Sequence, residues 1–181
     1  MAITRLLTVR DVEESPPEGE WELIDGELVP VNPTSFNSSV VAMRIGTIVG
    51  AFVIEHDLGV VTGADGGFVI FPDRETLVAP DLGFVRKERI PPEDEQNRFA
   101  RLAPDLVVEV LSPSDRMANA LGKIGLYLEA GVQMVWLVDP VKRTISLFAE
   151  GDAPVRLGDD DFLTGGTVLP GFSVRVAELL G

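Results

Sequence analysis

The chain has 181 residues, 45% of them hydrophobic and 24% charged, which suits one folded domain with a sizeable core and excludes intrinsic disorder. It has no cysteine and one histidine, His56, so a disulfide framework, a thiol nucleophile and a Cys-ligated zinc site are excluded, and a Ser-His-Asp triad would have to use that histidine. Fifteen Lys and Arg against 29 Asp and Glu leave a net charge of −14, which repels nucleic-acid phosphate at long range.

The acid is unevenly spread. Residues 11–27 hold eight acidic side chains and no basic one, whereas Arg86, Lys87, Arg89, Arg98, Arg101, Arg116 and Lys123 give the middle of the chain a mixed character. The charge balance therefore still allows a local basic surface. The best uncharged apolar run, 45–54, falls short of the ~18 residues a spanning helix needs. The start, MAITRLLTVR, has neither a leader-like apolar block nor a small-residue cleavage site, so a cytoplasmic location is expected.

Residues 1–20 read as an N-terminal arm and linker, weakly patterned over 6–12 and then rich in Pro, Glu and Gly; residues 21–181 read as a single domain. Asp25-Gly26 between WELI and ELV predicts a β-hairpin. A helix follows, with Ser35 or Ser38 as N-cap, a stripe of Val41, Ile45, Ile48 and Phe52, and an end near Gly59. Short strands are expected at 60–62 and 67–71, then a strand over 79–85 entered through Pro80, then a loop over 90–97. The run 103–111 is apolar almost throughout, as for a strand buried on both faces. Ser112-Pro113-Ser114-Asp115 stops it and caps a second helix, with the stripe Met117, Leu121, Ile124 and Leu128, ended by Gly131. Strands follow at 134–138 and 143–148. The order predicts an α/β (α+β) fold without a regular βαβ repeat.

Glu109 breaks the apolar run 106–111, and an isolated carboxylate in a low-dielectric core is strongly disfavoured. It needs a cation, a donor network or a metal. Asp81 stands at the mouth of another strand, and Lys123 lies on the helix after the Glu109 strand. Two carboxylates and a lysine suit a Mg²⁺ site, since hard divalent ions choose oxygen ligands and keep waters. Spacing alone favours the other reading, a buried Glu-Lys or Glu-Arg pair that fixes packing.

The blocks WELIDGELV (21–29), APDLGFV (79–85), APDLVVEVLSPSDR (103–116), KIGLYLEAGVQMVWLVDP (123–140) and LTGGTVLPGF (163–172) occur in that order. Through them the chain resembles the Uma2 family of endonucleases, of the PD-(D/E)xK restriction-endonuclease-like superfamily. The resemblance implies a central mixed β-sheet flanked by helices with an N-terminal β-hairpin, and hydrolysis of DNA phosphodiester bonds with Mg²⁺ or Mn²⁺. Asp81 and Glu109 match the acidic motif positions and would hold the metal. The motif lysine two residues on is replaced by Leu111, and Lys123 takes its place, orienting the attacking water or stabilising charge. As a base Lys123 would have to be neutral.

Supporting candidates are Glu22 and Glu27 in the hairpin block, Asn37 where relatives carry a histidine at the start of the first helix, Asp105 on the Glu109 strand, and Tyr127 one turn after Lys123. DNA is the implied partner, no membrane partner is expected, and a homodimer stays open. Two other classes compete with the nuclease: a catalytically silent module of the same fold that binds DNA or protein, and a plain structural domain whose carboxylates only pair with basic residues.

Overall fold

The structure, a computed structural model, describes residues 6–181. It opens with helix α1 (Val9–Glu14), fixed by a capping box: the Asp11 N–H donates to the Thr8 hydroxyl at 3.1 Å, and the Thr8 N–H donates to the Asp11 carboxylate at 2.9 Å. The weak pattern over 6–12 conceals this helix because only Val9 and Val12 are buried in it, Val9 against Leu23, Val69 and Leu77. Residues 1–5, the beginning of the arm read from the sequence, lie outside the described residues.

Asp25-Gly26 forms the expected hairpin between β1 (Trp21–Ile24) and β2 (Glu27–Pro30), both turn residues taking positive φ, 51° and 78°. β1 pairs with β5 (Thr76–Val78), and β5 with β4 (Phe68–Phe71), giving a four-stranded sheet in the order β2-β1-β5-β4. β5 has only three residues, too few for an alternation pattern to announce it.

The larger sheet has the order β10 (Val155–Leu157), β9 (Thr144–Phe148), β8 (Met134–Asp139), β7 (Leu106–Val110), β6 (Leu82–Arg86) and β3 (Gly59–Gly63). Its central pair, β7 and β8, is parallel, because helix α3 (Met117–Glu129) carries the chain back between them; the other pairs are antiparallel. One face is covered by helix α2 (Phe36–Glu55), the hairpin of β11 (Phe162–Gly165) and β12 (Leu169–Arg175), and helix α4 (Val176–Leu180); α3 covers the other. The mixed sheet flanked by helices, with its hairpin near the N-terminus, is the architecture expected from the sequence.

Ser35 is the N-cap of α2, its hydroxyl accepting the Ser38 N–H. By length and composition this helix could cross a membrane, more than the uninterrupted run 45–54 suggested. Packing decides its place here: Val41, Ile45, Val49 and Val53 form a buried row against the sheet.

Two features aim the site. Along β7, Leu106, Val108 and Val110 face α2, so Val107 and, by the two-residue period, Glu109 face α3. Helix α3 is turned from the expected stripe: Ile124 and Tyr127 are its buried residues, whereas Met117 and Leu121 are 42% and 48% exposed. Hydrophobicity alone misplaces that face, because burying a tyrosine and a lysine satisfies Glu109. Nor does Asp115 cap the helix: the N-cap position is Arg116, with no side-chain cap, and the Asp115 carboxylate instead accepts the Ser112 N–H at 2.6 Å.

Candidate active site

Antiparallel pairing of β6 with β7 sets Leu82 opposite Val108 and Gly83 opposite Val107. The register ends at that Leu82–Val108 pair, one residue from Asp81 on the first strand and from Glu109 on the second. The β6 ladder stops there because Pro80 and Asp81 leave the strand, and the Asp81 Oδ2 oxygen accepts the Val110 N–H at 2.7 Å. Asp81 is thereby clamped beside Glu109 by the backbone of the Glu109 strand itself.

The remaining parts come from α3 and β1. Lys123 Nζ lies 2.9 Å from Glu109 Oε1 and 3.0 Å from Glu22 Oε1. The Tyr127 hydroxyl donates to Glu109 Oε1 at 2.5 Å, and the Ala79 N–H donates to Glu22 Oε1 at 3.0 Å. Lys123 and Tyr127 reach one carboxylate because they are spaced i, i+4 on α3. Two of the supporting candidates are thus in the cluster: Tyr127 has Glu109 as its partner, and Glu22 is only 5% exposed.

Burial raises the Asp81 carboxyl above its usual value, an effect the Val110 N–H and the Lys123 charge only partly offset. Burial likewise raises Glu109; Lys123 works against that and the Asp81 charge adds to it. For Lys123, burial alone would lower the pKa, but the two carboxylates outweigh it and the ammonium is held above its ordinary value. Beside these two carboxylates Lys123 stands as a cation, and the neutral form that a lysine base needs is disfavoured.

Three candidates stand apart. Glu27 is exposed at the start of β2. Asn37 is exposed in the first turn of α2, although that turn is pinned to the end of the Glu109 strand: the Ser38 hydroxyl donates to the Leu111 carbonyl at 2.8 Å and the Ser35 N–H to the Ser112 hydroxyl at 3.3 Å. Asp105 is fully buried before the first residue of β7, at the opposite end of that strand from Val110. There it accepts from Arg89 Nη1 at 2.7 Å, the Arg86 N–H at 2.9 Å and Gln133 Nε2 at 3.1 Å. Its charge is neutralised at the far end of the strand, so it does not join Glu109.

A groove of about 530 Å³ opens beside Asp81, running between α2 and β3 past Gly46, Gly50 and Gly63. A larger cavity of about 1120 Å³, between α1 and the 90–101 segment, contains none of the clustered residues. Among the described residues no group of three or more His, Asp or Glu is arranged to hold a metal ion. Two carboxylates suffice for Mg²⁺, which keeps several waters and takes further oxygens from a phosphate. The donor set fits such an ion: Asp81 uses Oδ2 and Glu109 uses Oε1 within the protein, and the second oxygen of each accepts no hydrogen bond from the described residues.

The profile of the Uma2 family, described as "Putative restriction endonuclease", matches residues 8–177. Among solved structures, the chain is similar to a protein of Anabaena variabilis ATCC 29413 described as "a putative nuclease belonging to DUF820". The TM-score is 0.83 at 19% identity, over 96% of this chain and 97% of that one, a likeness of fold. No curated protein matches the chain.

Proposed function

This chain belongs to the Uma2 family, and we propose that it is a DNA endonuclease dependent on Mg²⁺ or Mn²⁺. The observation that carries this reading is that Asp81, at the entry to β6, accepts the N–H of Val110 on the strand that carries Glu109, with the Lys123 ammonium 2.9 Å from Glu109.

Phosphodiester hydrolysis needs an in-line water, neutralised charge on the phosphoryl oxygens and help for the leaving alkoxide. Asp81 and Glu109 would hold the divalent ion, which when bound supplies Lewis acidity toward a phosphoryl oxygen and activates water. Lys123 spends two of its three N–H donors on Glu22 and Glu109, leaving one for a phosphoryl oxygen. Tyr127 holds the Glu109 carboxylate in one orientation by its hydrogen bond. No side-chain nucleophile is required, in keeping with a chain that has no cysteine.

The test is nicking of supercoiled plasmid DNA with Mn²⁺. Wild-type protein nicks only with the divalent ion, and Glu109→Ala abolishes nicking with a cooperative melt retained, since Lys123 keeps Glu22 as its partner. Wild-type protein that neither nicks nor binds Mn²⁺ at millimolar concentration refutes the reading.

One observation favours the second reading, a silent DNA- or protein-binding module. Many cations are tied to carboxylates of the same chain: Arg74 to Asp25 and Glu129, Arg86 and Arg89 to Asp105, Arg143 to Asp159. That leaves less positive charge for a DNA backbone. The same plasmid, bound without being nicked, would identify a DNA-binding module; neither bound nor nicked, it would leave a protein partner.

A further inference from the structure

Glu22 stands on β1 of the smaller sheet, whereas Lys123 belongs to α3 and Glu109 to β7 of the larger one. Its side chain is 6% exposed, and one oxygen, Oε1, accepts both the Ala79 N–H and the Lys123 ammonium at 3.0 Å. Ala79 lies two residues before Asp81, so the Glu22 carboxylate is itself anchored to the segment that delivers Asp81. A lysine has a long stem with many rotamers, and Glu109 alone would leave its ammonium one charged partner to swing about. Two carboxylates from two different elements, at 3.0 and 2.9 Å, hold it at one place.

We infer that Glu22 is a positioning residue, which gives the Lys123 ammonium a second carboxylate partner beside Glu109 and thereby fixes that cation next to Glu109 and Asp81. Its catalytic consequence rests on the nuclease reading; the grip itself does not. Glu22 acts through Lys123, the charged group its Oε1 oxygen holds together with the Ala79 N–H; unchanged Mn²⁺ affinity in Glu22→Gln separates this from a direct role on the metal. The competing role is purely structural: Glu22 would serve only to satisfy the Ala79 N–H.

Glu22→Gln separates the two, since a glutamine carbonyl can still accept the Ala79 N–H but offers the ammonium no charge. The chain has three lysines, Lys87, Lys123 and Lys142, so ¹⁵N-lysine labelling resolves their ammonium groups by NMR. In wild-type protein one ammonium is protected from solvent exchange, and E22Q loses that protection. In the nicking assay E22Q lowers kcat by about 10–100-fold and leaves KM within about threefold. Calorimetric Mn²⁺ affinity stays unchanged. E22D, which keeps the charge on a shorter stem, recovers part of both the protection and kcat. The double variant E22Q/K123M is no slower than K123M alone, as expected when one residue acts through the other.

The inference is overturned if all three wild-type ammonium groups exchange freely, if E22Q keeps both the protection and the wild-type kcat, or if the E22Q and K123M losses multiply. Wild-type protein that cleaves no DNA with Mg²⁺ or Mn²⁺ refutes the nuclease reading instead, and the exchange measurement still decides whether Glu22 holds Lys123.

Discussion

Lys123 and Tyr127, one helical turn apart on α3, converge on a single oxygen: Glu109 Oε1 lies 2.9 Å from the ammonium and 2.5 Å from the hydroxyl. Tyr127 is the chain's one tyrosine and is fully buried. Burial, with the Glu109 and Glu22 charges, pushes its phenol well above the ordinary value of 10.0. The unfolded chain loses that proton near pH 10 and the folded chain keeps it, so the folded state is favoured below that pH and loses the advantage as pH rises. Wild-type urea midpoints therefore fall above about pH 10, more steeply than those of Tyr127→Phe. At neutral pH Y127F is less stable by about 1.5–3 kcal/mol, the range for a lost hydrogen bond to a charged group. A wild-type tyrosinate absorbance that rises before unfolding would contradict this account.

Lys123→Met keeps the aliphatic stem and leaves Glu22 and Glu109 without their shared cation. Stability should fall by about 1–3 kcal/mol, less than for a fully buried pair, because the lysine side chain is 27% exposed. On the nuclease reading the nicking rate falls by about 10²-fold or more. Mn²⁺ affinity measured by calorimetry does not weaken, since the ammonium competes with the ion for Glu109. Parallel losses in rate and affinity would assign the lysine to the ion's own site.

Much of this arrangement can be read in the sequence, and the exceptions have physical causes. A lone Glu109 in an apolar run marks a buried carboxylate in need of a partner, and Asp25-Gly26 marks the hairpin. The tripeptide Ala-Pro-Asp occurs before both β6 and β7, at 79–81 and 103–105, and Asp105 ranks second to Asp81 in the sequence because it shares the strand of Glu109. Antiparallel pairing of β6 and β7 separates them, because residues entering the two strands lie at opposite ends of the pair. Only one of the two can reach Glu109. The rotation of α3 and the burial of Glu22 were less legible, because both follow from contacts between elements far apart in the chain. The spacing of Lys123 and Tyr127 was the one local signal for that face.

Asp105→Ala separates stability from chemistry. Asp105 has no exposed surface and partners Arg89 at 2.7 Å and Arg86 at 3.8 Å. Removing it takes the carboxylate from two guanidinium groups that are 27% and 37% exposed and the acceptor from the Arg86 N–H, a loss of about 2–3 kcal/mol in urea unfolding. Mn²⁺ affinity of the protein that remains folded should be unchanged, since the site lies at the other end of β7. A weakened metal affinity in folded D105A would return Asp105 to the site.

Asp81→Asn should make the protein more stable at neutral pH while removing its metal binding. The asparagine side-chain oxygen can still accept the Val110 N–H that Asp81 accepts at 2.7 Å, so the clamp on β7 survives. What disappears is a charge that burial disfavours and that Asp115 and Glu22 further repel. A carboxyl whose folded pKa lies above the unfolded value of 3.8 favours the folded state while protonated and loses that contribution as pH rises through the folded pKa. At neutral pH the ionised Asp81 thus costs stability, and D81N should gain about 0.5–2 kcal/mol, as when strain at a functional site is relieved. The gain shrinks toward acid pH, where wild-type Asp81 is protonated as well. Mn²⁺ at 100 times its Kd stabilises the wild type by about 2.7 kcal/mol through binding linkage, and leaves D81N where it was. Urea midpoints at neutral and acid pH, with and without Mn²⁺, decide it: D81N less stable than wild type at neutral pH would mean that Lys123 and the Val110 N–H outweigh the burial of this carboxylate.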